Sequence, residues 1–149
     1  MHKFKYDHFP EIGNTLGKWY GADLKEHGYQ NEIDLILPIP LHENKLKQRG
    51  FNQSDFFALG LSQSLDVPFS NKIIARSTKS ETQTKKGRLA RWKNVKEIFL
   101  VLDELSVIGK RVLLVDDVIT TGSTLESCAL TLQESGCGEL SFATLAVAK

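Results

Sequence analysis

Two adjacent carboxylates are followed closely by a run of hydroxylated residues in the string V-L-L-V-D-D-V-I-T-T-G-S-T, residues 112–124. Its apolar start predicts a buried strand, and a helix is predicted just after it. Asp116 and Asp117 therefore fall at the carboxyl end of a strand, where ligands of open α/β sheets bind. Backbone amides at a helix start favour an anion such as phosphate. The predicted phosphate-binding residues are Thr120, Thr121, Gly122, Ser123 and Thr124.

Two carboxylates beside a phosphate site would repel a bare anion, so the ligand must also present hydroxyl donors or a metal ion. Acidic residues after a strand hold ribose hydroxyls in dinucleotide folds. The string therefore predicts a sugar phosphate whose vicinal diol lies on Asp116 and Asp117. No lysine follows Gly122, so this is not the nucleotide P-loop pattern. The alternative is a chance acidic turn before a capped helix.

The string resembles the phosphoribosyl pyrophosphate (PRPP) motif of type I phosphoribosyltransferases. Three earlier features appear in an order similar to that of the ComF/GntX family: P-I-P-L-H and R-G-F-N-Q within residues 38–53, then Gln83, then R-W-K-N-V at residues 91–95. That family is linked in some bacteria to DNA uptake during natural transformation. The resemblance covers essentially residues 30–149. It implies an α/β fold with a central, mainly parallel sheet flanked by helices and a long flexible loop.

The resemblance also assigns two further groups of residues. The pyrophosphate loop would consist of Pro40, Leu41 and His42. The flexible loop would contain Gln83, Arg88, Arg91 and Asn94. Members of the family usually begin with a cysteine-rich zinc-binding segment, which this sequence lacks. A natural short form and a trimmed chain both remain open.

Strand and helix patterns alternate along the chain, which predicts a parallel sheet with helices on both faces. Apolar spacing of Phe57, Leu61 and Leu65 indicates a helix face. Ser123 and Glu126 predict a capping box, and Gly136 a helix end. Strands are predicted over residues 32–40, 71–77, 97–103, 109–117 and 139–148, and helices over residues 52–67 and 123–136.

Basic residues are concentrated in two segments although the net charge is only +1. The turn predicted after the first strand supplies three, and the aperiodic stretch 77–95 with its flanks supplies eight of the nineteen in the chain. A long aperiodic segment favours a functional flap, and such clusters favour anion binding over a merely solvated surface. These residues are Lys45, Lys47, Arg49, Arg76, Lys79, Lys85, Lys86, Arg88, Arg91, Lys93 and Lys96.

The length of 149 residues predicts one domain, with a leading helix or partial hood in residues 1–30 and a core in residues 31–149. Cys128 and Cys137 fit no metal motif and predict two reduced thiols. No apolar run is long enough to span a bilayer, and the start of the chain does not resemble a secretion signal. We expect a cytoplasmic protein. Dimers are common among similar proteins, but the sequence does not determine the oligomeric state.

The resemblance implies binding of PRPP with Mg²⁺ and displacement of pyrophosphate from C1 by an unidentified acceptor. Loss of pyrophosphate would pass through a sugar cation. Mg²⁺ and basic side chains would stabilise the leaving pyrophosphate, and a closed flap would keep water from intercepting the cation. Arg88 or Arg91 would reach the pyrophosphate. No residue stands out as a general base, no protein side chain is assigned to the metal, and His42 is either an assisting group or a surface donor.

Two other functions stay open: a PRPP-binding module that transfers nothing, and a single-stranded-DNA-binding accessory of DNA uptake with competence proteins as partners. Trp92 is the one aromatic residue within the flap, so the stacking signal for DNA is thin. Glutamine-dependent amidophosphoribosyltransferase activity is not expected of this chain alone. That reaction needs a nucleophilic cysteine near the N-terminus, and residues 1–30 contain none. Use of free ammonia remains open.

Overall fold

A computed structural model describes residues 10–76 and 99–148. The predicted strands and helices are all present in it, with shorter bounds at most ends. Two short 3₁₀ turns, Tyr29–Asn31 and Glu104–Ser106, accompany them. In chain order the elements are α1 (Pro10–Glu26), β1 (Leu35–Pro38), α2 (Glu43–Arg49), α3 (Gln53–Leu65), β2 (Ile74–Arg76), β3 (Phe99–Val101), β4 (Arg111–Ile119), α4 (Ser123–Glu134) and β5 (Glu139–Val147).

The central sheet is parallel and has the order β1-β4-β5. Val112 in the middle strand pairs with Leu35 on one side and with Leu140 on the other. Residues 112–115 are all buried because both faces of the sheet are covered, as is usual for parallel strands. The predicted fold class, a mainly parallel α/β sheet between helices, is confirmed.

Each face of the sheet packs on a different helix. Phe57, Leu61 and Leu65 of α3 are buried against one face, as their spacing predicts. Cys128 and Leu132 of α4 are buried against the other face. Cys128 therefore acts as a small apolar residue of the core, and both cysteines of the chain are free.

The short strands β2 and β3 form a separate antiparallel ribbon, which packs on the α4 side of the sheet. Arg76 pairs with Phe99 at its end, and the guanidinium lies over the Phe99 ring, 5.3 Å from the ring centre. Residues 77–98 connect the two strands and are outside the described part of the chain. The flexible-loop residues assigned by resemblance lie there: Gln83, Arg88, Arg91 and Asn94.

Helix α1 confirms the predicted leading helix and packs closely on α3 through glycine. A Cβ on Gly17 would collide with the carbonyl oxygen of Phe57, and one on Gly60 with the carbonyl oxygen of Asn14. The helices run in the same direction, since Gly17 meets Gly60 and a Cβ on Gly21 would come within 2.7 Å of Ser64. Glycine at these positions lets the two backbones approach each other.

Helix α2 lies where a turn was predicted, so that prediction is wrong over Glu43–Arg49. His42 starts the helix, because its Nδ1 accepts a hydrogen bond of 3.2 Å from the amide of Asn44. Gly50 ends it in the left-handed conformation, with φ of 81°. The segment has no apolar periodicity. Only the residues at its start and end, His42 and Gly50, indicate a helix.

A two-point ion pair joins the amino ends of β1 and β4. Arg111 Nη2 donates to Asp34 Oδ1 at 2.7 Å, and Arg111 Nε donates to Asp34 Oδ2 at 3.0 Å. The backbone amide of Arg111 also donates to Oδ2 at 2.9 Å. These bonds hold the pKa of Asp34 well below its usual range. Within residues 10–76 and 99–148, no helix has the length and apolar character needed to cross a membrane.

Candidate functional site

Asp116 is the first residue of β4 beyond the end of β1. Pro38, the last residue of β1, pairs with Val115, whereas β4 continues to Ile119 because β5 stays paired with it. The strand therefore extends past the predicted end at Asp117. Asp116 lies on the carboxyl edge of the sheet, beside the step that the shorter β1 leaves.

A small open pocket of about 30 Å³ lies at this edge and joins most of the residues predicted to bind the ligand. One of the two carboxylates and four of the five phosphate-binding residues line it. Asp117 and Ser123 are not among the lining residues. The lining residues are Asp116, Val118, Ile119, Thr120, Thr121, Gly122, Thr124 and Leu125.

The start of α4 differs from the predicted capping box, which is wrong. Gly122 is the N-cap residue, with φ of 80°, and Ser123 is already the first residue of the helix. The Ser123 hydroxyl lies 3.0 Å from Thr121 Oγ1, so it does not cap the amide of Glu126. That amide donates to the carbonyl of Gly122 as part of the helix. Gly122 has no side chain to accept from the first helical amides, and the amide of Ser123 donates to Thr121 Oγ1 at 3.4 Å.

The predicted helix end is confirmed in a specific form. Gly136 has φ of 84°, and its amide donates to the carbonyl of Gln133, while the amide of Cys137 donates to the carbonyl of Leu132. This pair of bonds is the Schellman arrangement in which glycine follows the last helical turn.

The ionisation of Asp116 is shifted by its surroundings. Burial, followed by the charge of neighbouring Asp117, raises the pKa of Asp116 to about 6. Hydrogen bonds to Oδ1 from the Asp117 amide at 2.9 Å and the Ser54 hydroxyl at 3.2 Å act in the opposite direction. A carboxyl that is costly to ionise without a ligand is a frequent mark of a functional site.

The first turn of α3 reaches this site, which the sequence did not reveal. Asn52 precedes the helix and accepts from the Ser54 amide at 3.3 Å, while its Nδ2 donates to the carbonyl of Ile39 at 3.0 Å. The same Nδ2 donates to Asp55 at 2.9 Å, and Asn71 donates to the other Asp55 oxygen at 3.0 Å. The sequence signal that could have indicated this contact was a polar residue, Asn52, at the start of the predicted helix 52–67.

The residues assigned to the pyrophosphate loop follow Ile39 directly. Pro40, Leu41 and His42 are partly buried, and His42 is occupied in capping α2 as a hydrogen-bond acceptor. Its interpretation as a surface donor is therefore wrong at Nδ1. None of the three lines the pocket of Asp116, but Asn52 and Ser54 connect the two regions.

The basic residues of the first predicted cluster lie on α2. Lys45 and Lys47 are exposed, and Lys47 forms an ion pair of 2.8 Å with Glu43. Arg49 is partly buried, with Nη1 3.5 Å from Gln53 Oε1. The Gln53 side chain is buried, and its Nε2 has no hydrogen-bond partner among the described residues.

Burial is the main cause that raises the pKa of the Cys128 thiol, to about 12, but two charges near the site contribute. Asp116 raises it and Arg76 lowers it. Arg76 is the described member of the second basic cluster.

The chain belongs to the phosphoribosyltransferase family: the phosphoribosyl transferase domain matches residues 53–149. Within that family it is of the ComF type. Competence protein F of Haemophilus influenzae is 33% identical over 144 residues, and DNA utilization protein YhgH of Escherichia coli K12 is 31% identical over 139. These matches cover 94% and 91% of this chain but only 63% and 60% of the relatives' lengths.

Solved structures of phosphoribosyltransferases share the fold at low sequence identity. Glutamine PRPP amidotransferase from B. subtilis is 20% identical with a TM-score of 0.66, and covers 96% of this chain and 30% of its own. A hypoxanthine phosphoribosyltransferase from Staphylococcus aureus is 22% identical with a TM-score of 0.55, and covers 93% of this chain and 65% of its own. The type I phosphoribosyltransferase fold follows from these likenesses.

Proposed function

We propose that this chain binds PRPP in the pocket at the carboxyl edge of the sheet. The observation that carries the proposal is the meeting of Asp116 with Thr120, Thr121, Gly122 and Thr124 around one pocket. Hydroxyls and helix-start amides suit the 5′-phosphate, and carboxylates suit the ribose diol. Membership of the phosphoribosyltransferase family supports the same ligand.

The carboxylate pair supports a ligand rich in donors rather than a bare anion. Asp117 adds to the cost of ionising Asp116, and ribose hydroxyls that donate to both carboxylates would reduce that cost. In this proposal Ser123 acts through Thr121, which its hydroxyl contacts, and Pro40–His42 face the pyrophosphate.

Mg²⁺ would enter with PRPP. Within the described ranges no group of three or more His, Cys, Asp or Glu side chains could hold a metal ion by itself. The adjacent carboxylates of Asp116 and Asp117 nevertheless fit a magnesium–PRPP complex, because Mg²⁺ is commonly held by one or two carboxylates together with substrate phosphates. When bound, the ion would offset the charge of the pyrophosphate.

The chemistry proposed is displacement of pyrophosphate from C1 of PRPP by an acceptor that is not identified. The C1–oxygen bond to pyrophosphate breaks with its electron pair leaving on pyrophosphate, and the acceptor forms the new bond to C1. Asp116 and Asp117 would hold the ribose, while Arg88 or Arg91, outside the described residues, would contact the departing group. No side chain is assigned as a general base.

Calorimetric titration of PRPP with Mg²⁺ tests this proposal. The wild type should bind, and the Asp116→Asn, Asp117→Asn double variant should not. Asp23→Asn combined with Glu26→Gln removes the same formal charge from exposed positions of α1 and should bind as the wild type does. Absence of wild-type binding, or equal loss in both double variants, would reject PRPP as the ligand of this pocket.

A second candidate function is binding of single-stranded DNA in the cytoplasm during DNA uptake. The names of the relatives, competence protein and DNA utilization protein, favour it. Phosphate contacts by basic residues would make such binding weaken steeply with salt. Fluorescence anisotropy with a labelled oligonucleotide over a salt series tests it, and affinity that does not change with salt would count against it.

A further inference from the structure

One helix start is bonded to both halves of the proposed PRPP site. Ser54, in the first turn of α3, donates to Oδ1 of Asp116 at 3.2 Å across a separation of 62 residues. Asn52, two residues earlier, donates to the carbonyl of Ile39 at 3.0 Å, immediately before the proposed pyrophosphate loop. Both side chains are buried, at 3% and 8% exposure, so solvent does not compete freely for these bonds.

We propose that Ser54 and Asn52 are positioning residues that fix the ribose carboxylate and the pyrophosphate loop relative to each other. This inference rests on the proposed function. Neither residue needs to touch the ligand: Ser54 acts through Asp116, and Asn52 acts through the Ile39 carbonyl. Fixing two subsites on one rigid element lowers the cost of ordering them when a ligand spans both.

The contacts around Asn52 show how its orientation is maintained. Its Oδ1 accepts from the Ser54 amide, and its Nδ2 is shared between Ile39 and Asp55. Asp55 is held in turn by Asn71 at 3.0 Å. On the β4 side, Ile39 is fixed by a hydrogen bond of 2.8 Å from its amide to the carbonyl of Val115, the residue before Asp116. The network therefore closes between α3, the end of β1 and β4.

The test compares two positioning variants with a matched control from the same helix. Ser54→Ala removes the bond to Asp116. Asn52→Ser keeps a capping oxygen but is too short to reach Ile39. Ser62→Ala is the control, since its hydroxyl donates to the carbonyl of Val67 at 2.6 Å, at the other end of α3. Each protein is titrated with Mg²⁺–PRPP, ribose 5-phosphate and Mg²⁺–pyrophosphate.

Ser54→Ala should bind PRPP and ribose 5-phosphate about tenfold more weakly, the loss typical of one hydrogen bond to a charged group, with pyrophosphate unaffected. Asn52→Ser should weaken PRPP and pyrophosphate and leave ribose 5-phosphate unchanged.

The outcomes separate this inference from the function on which it rests. A wild type that binds none of the three ligands rejects the proposed function and the inference together. A wild type that binds PRPP, with Ser54→Ala and Asn52→Ser both matching Ser62→Ala, leaves the proposed function standing and overturns the positioning role. Equal losses for all three ligands in both variants would show general damage and also overturn it.

Discussion

Arg111 and Asp34 form a two-point ion pair at the end of β4 that lies opposite Asp116, with distances of 2.7 and 3.0 Å. The arginine lowers the pKa of Asp34, whereas burial raises the pKa of Asp116 to about 6. One strand therefore carries Asp116 and holds Asp34 at its other end, and ionisation of these two carboxyls affects stability in opposite directions.

Asp34→Asn should lower the melting temperature at pH 7, because the variant loses the charge that Arg111 binds. A carboxyl whose pKa is depressed on folding stabilises the protein above its unfolded pKa, about 3.9, and loses that effect as the pH falls. The difference in melting temperature between the wild type and Asp34→Asn should therefore narrow below about pH 4. Asp66→Asn, which breaks an exposed ion pair with Lys25, is the control and should change little. An equal effect of both substitutions would contradict the prediction.

Asp116→Asn should stabilise the protein at pH 7.5. Its pKa is raised from 3.8 to about 6 on folding, so keeping it ionised at neutral pH costs on the order of 2–3 kcal/mol. Asparagine avoids that cost and keeps an oxygen for Ser54. Since the wild-type carboxyl regains its proton below its folded pKa, the advantage should fade as the pH drops from 6 to 4. Urea unfolding at pH 7.5 and at pH 4 measures the difference in unfolding free energy between Asp116→Asn and the wild type. A variant less stable than the wild type at pH 7.5 would refute the prediction.

Gly122→Ala should reduce PRPP affinity about tenfold or more at a modest cost in stability. A Cβ at this position meets open space, so the folding cost comes from the left-handed backbone alone, about 1–2 kcal/mol. Gly109→Ala is matched, because Gly109 also has positive φ and open space but does not line the pocket. The two variants should have comparable unfolding free energies, but Gly122→Ala should bind PRPP more weakly than Gly109→Ala. Equal affinities of the two variants would contradict a phosphate at Gly122.

Gly17→Ala should destabilise the fold by about 2 kcal/mol or more, since the added methyl collides with the Phe57 backbone. Alanine would otherwise stabilise a helix interior relative to glycine, so the sign of the change reports the close contact of α1 and α3. Thr15→Ala, at an exposed position of α1, is the control for helix propensity. Thermal unfolding gives both values, and a neutral or stabilising Gly17→Ala would mean that the helices are farther apart.

Most of the fold was predictable because its signals are local. Continuous apolar runs predict β1 and β4, and the spacing of Phe57, Leu61 and Leu65 predicts α3. Helix α2 was missed because Glu43–Arg49 has no apolar face and depends on a histidine cap. The capping box failed because Gly122 could adopt positive φ and begin α4 itself.

The pocket of the candidate site was predictable where its residues are contiguous, whereas contacts that form only in the folded chain were not predictable. Asp116 and Thr120–Thr124 belong to one string, so chemistry and spacing indicated them together. Ser54 lies 62 residues from Asp116 in the sequence, and its hydroxyl reaches Asp116 only because the folded chain places the start of α3 beside the end of β4. Such contacts depend on strand order, which local patterns do not encode.

The pairing of Arg76 with Phe99 brings the two ends of the intervening segment side by side within their own ribbon, separate from the central sheet. Because the closure of residues 77–98 is achieved there, doubling that segment would add only about 0.6 kcal/mol of closure entropy. Insertions and deletions between these two positions should therefore have little effect on the stability of the core. Evolution could therefore change the length and composition of this segment without redesigning the scaffold.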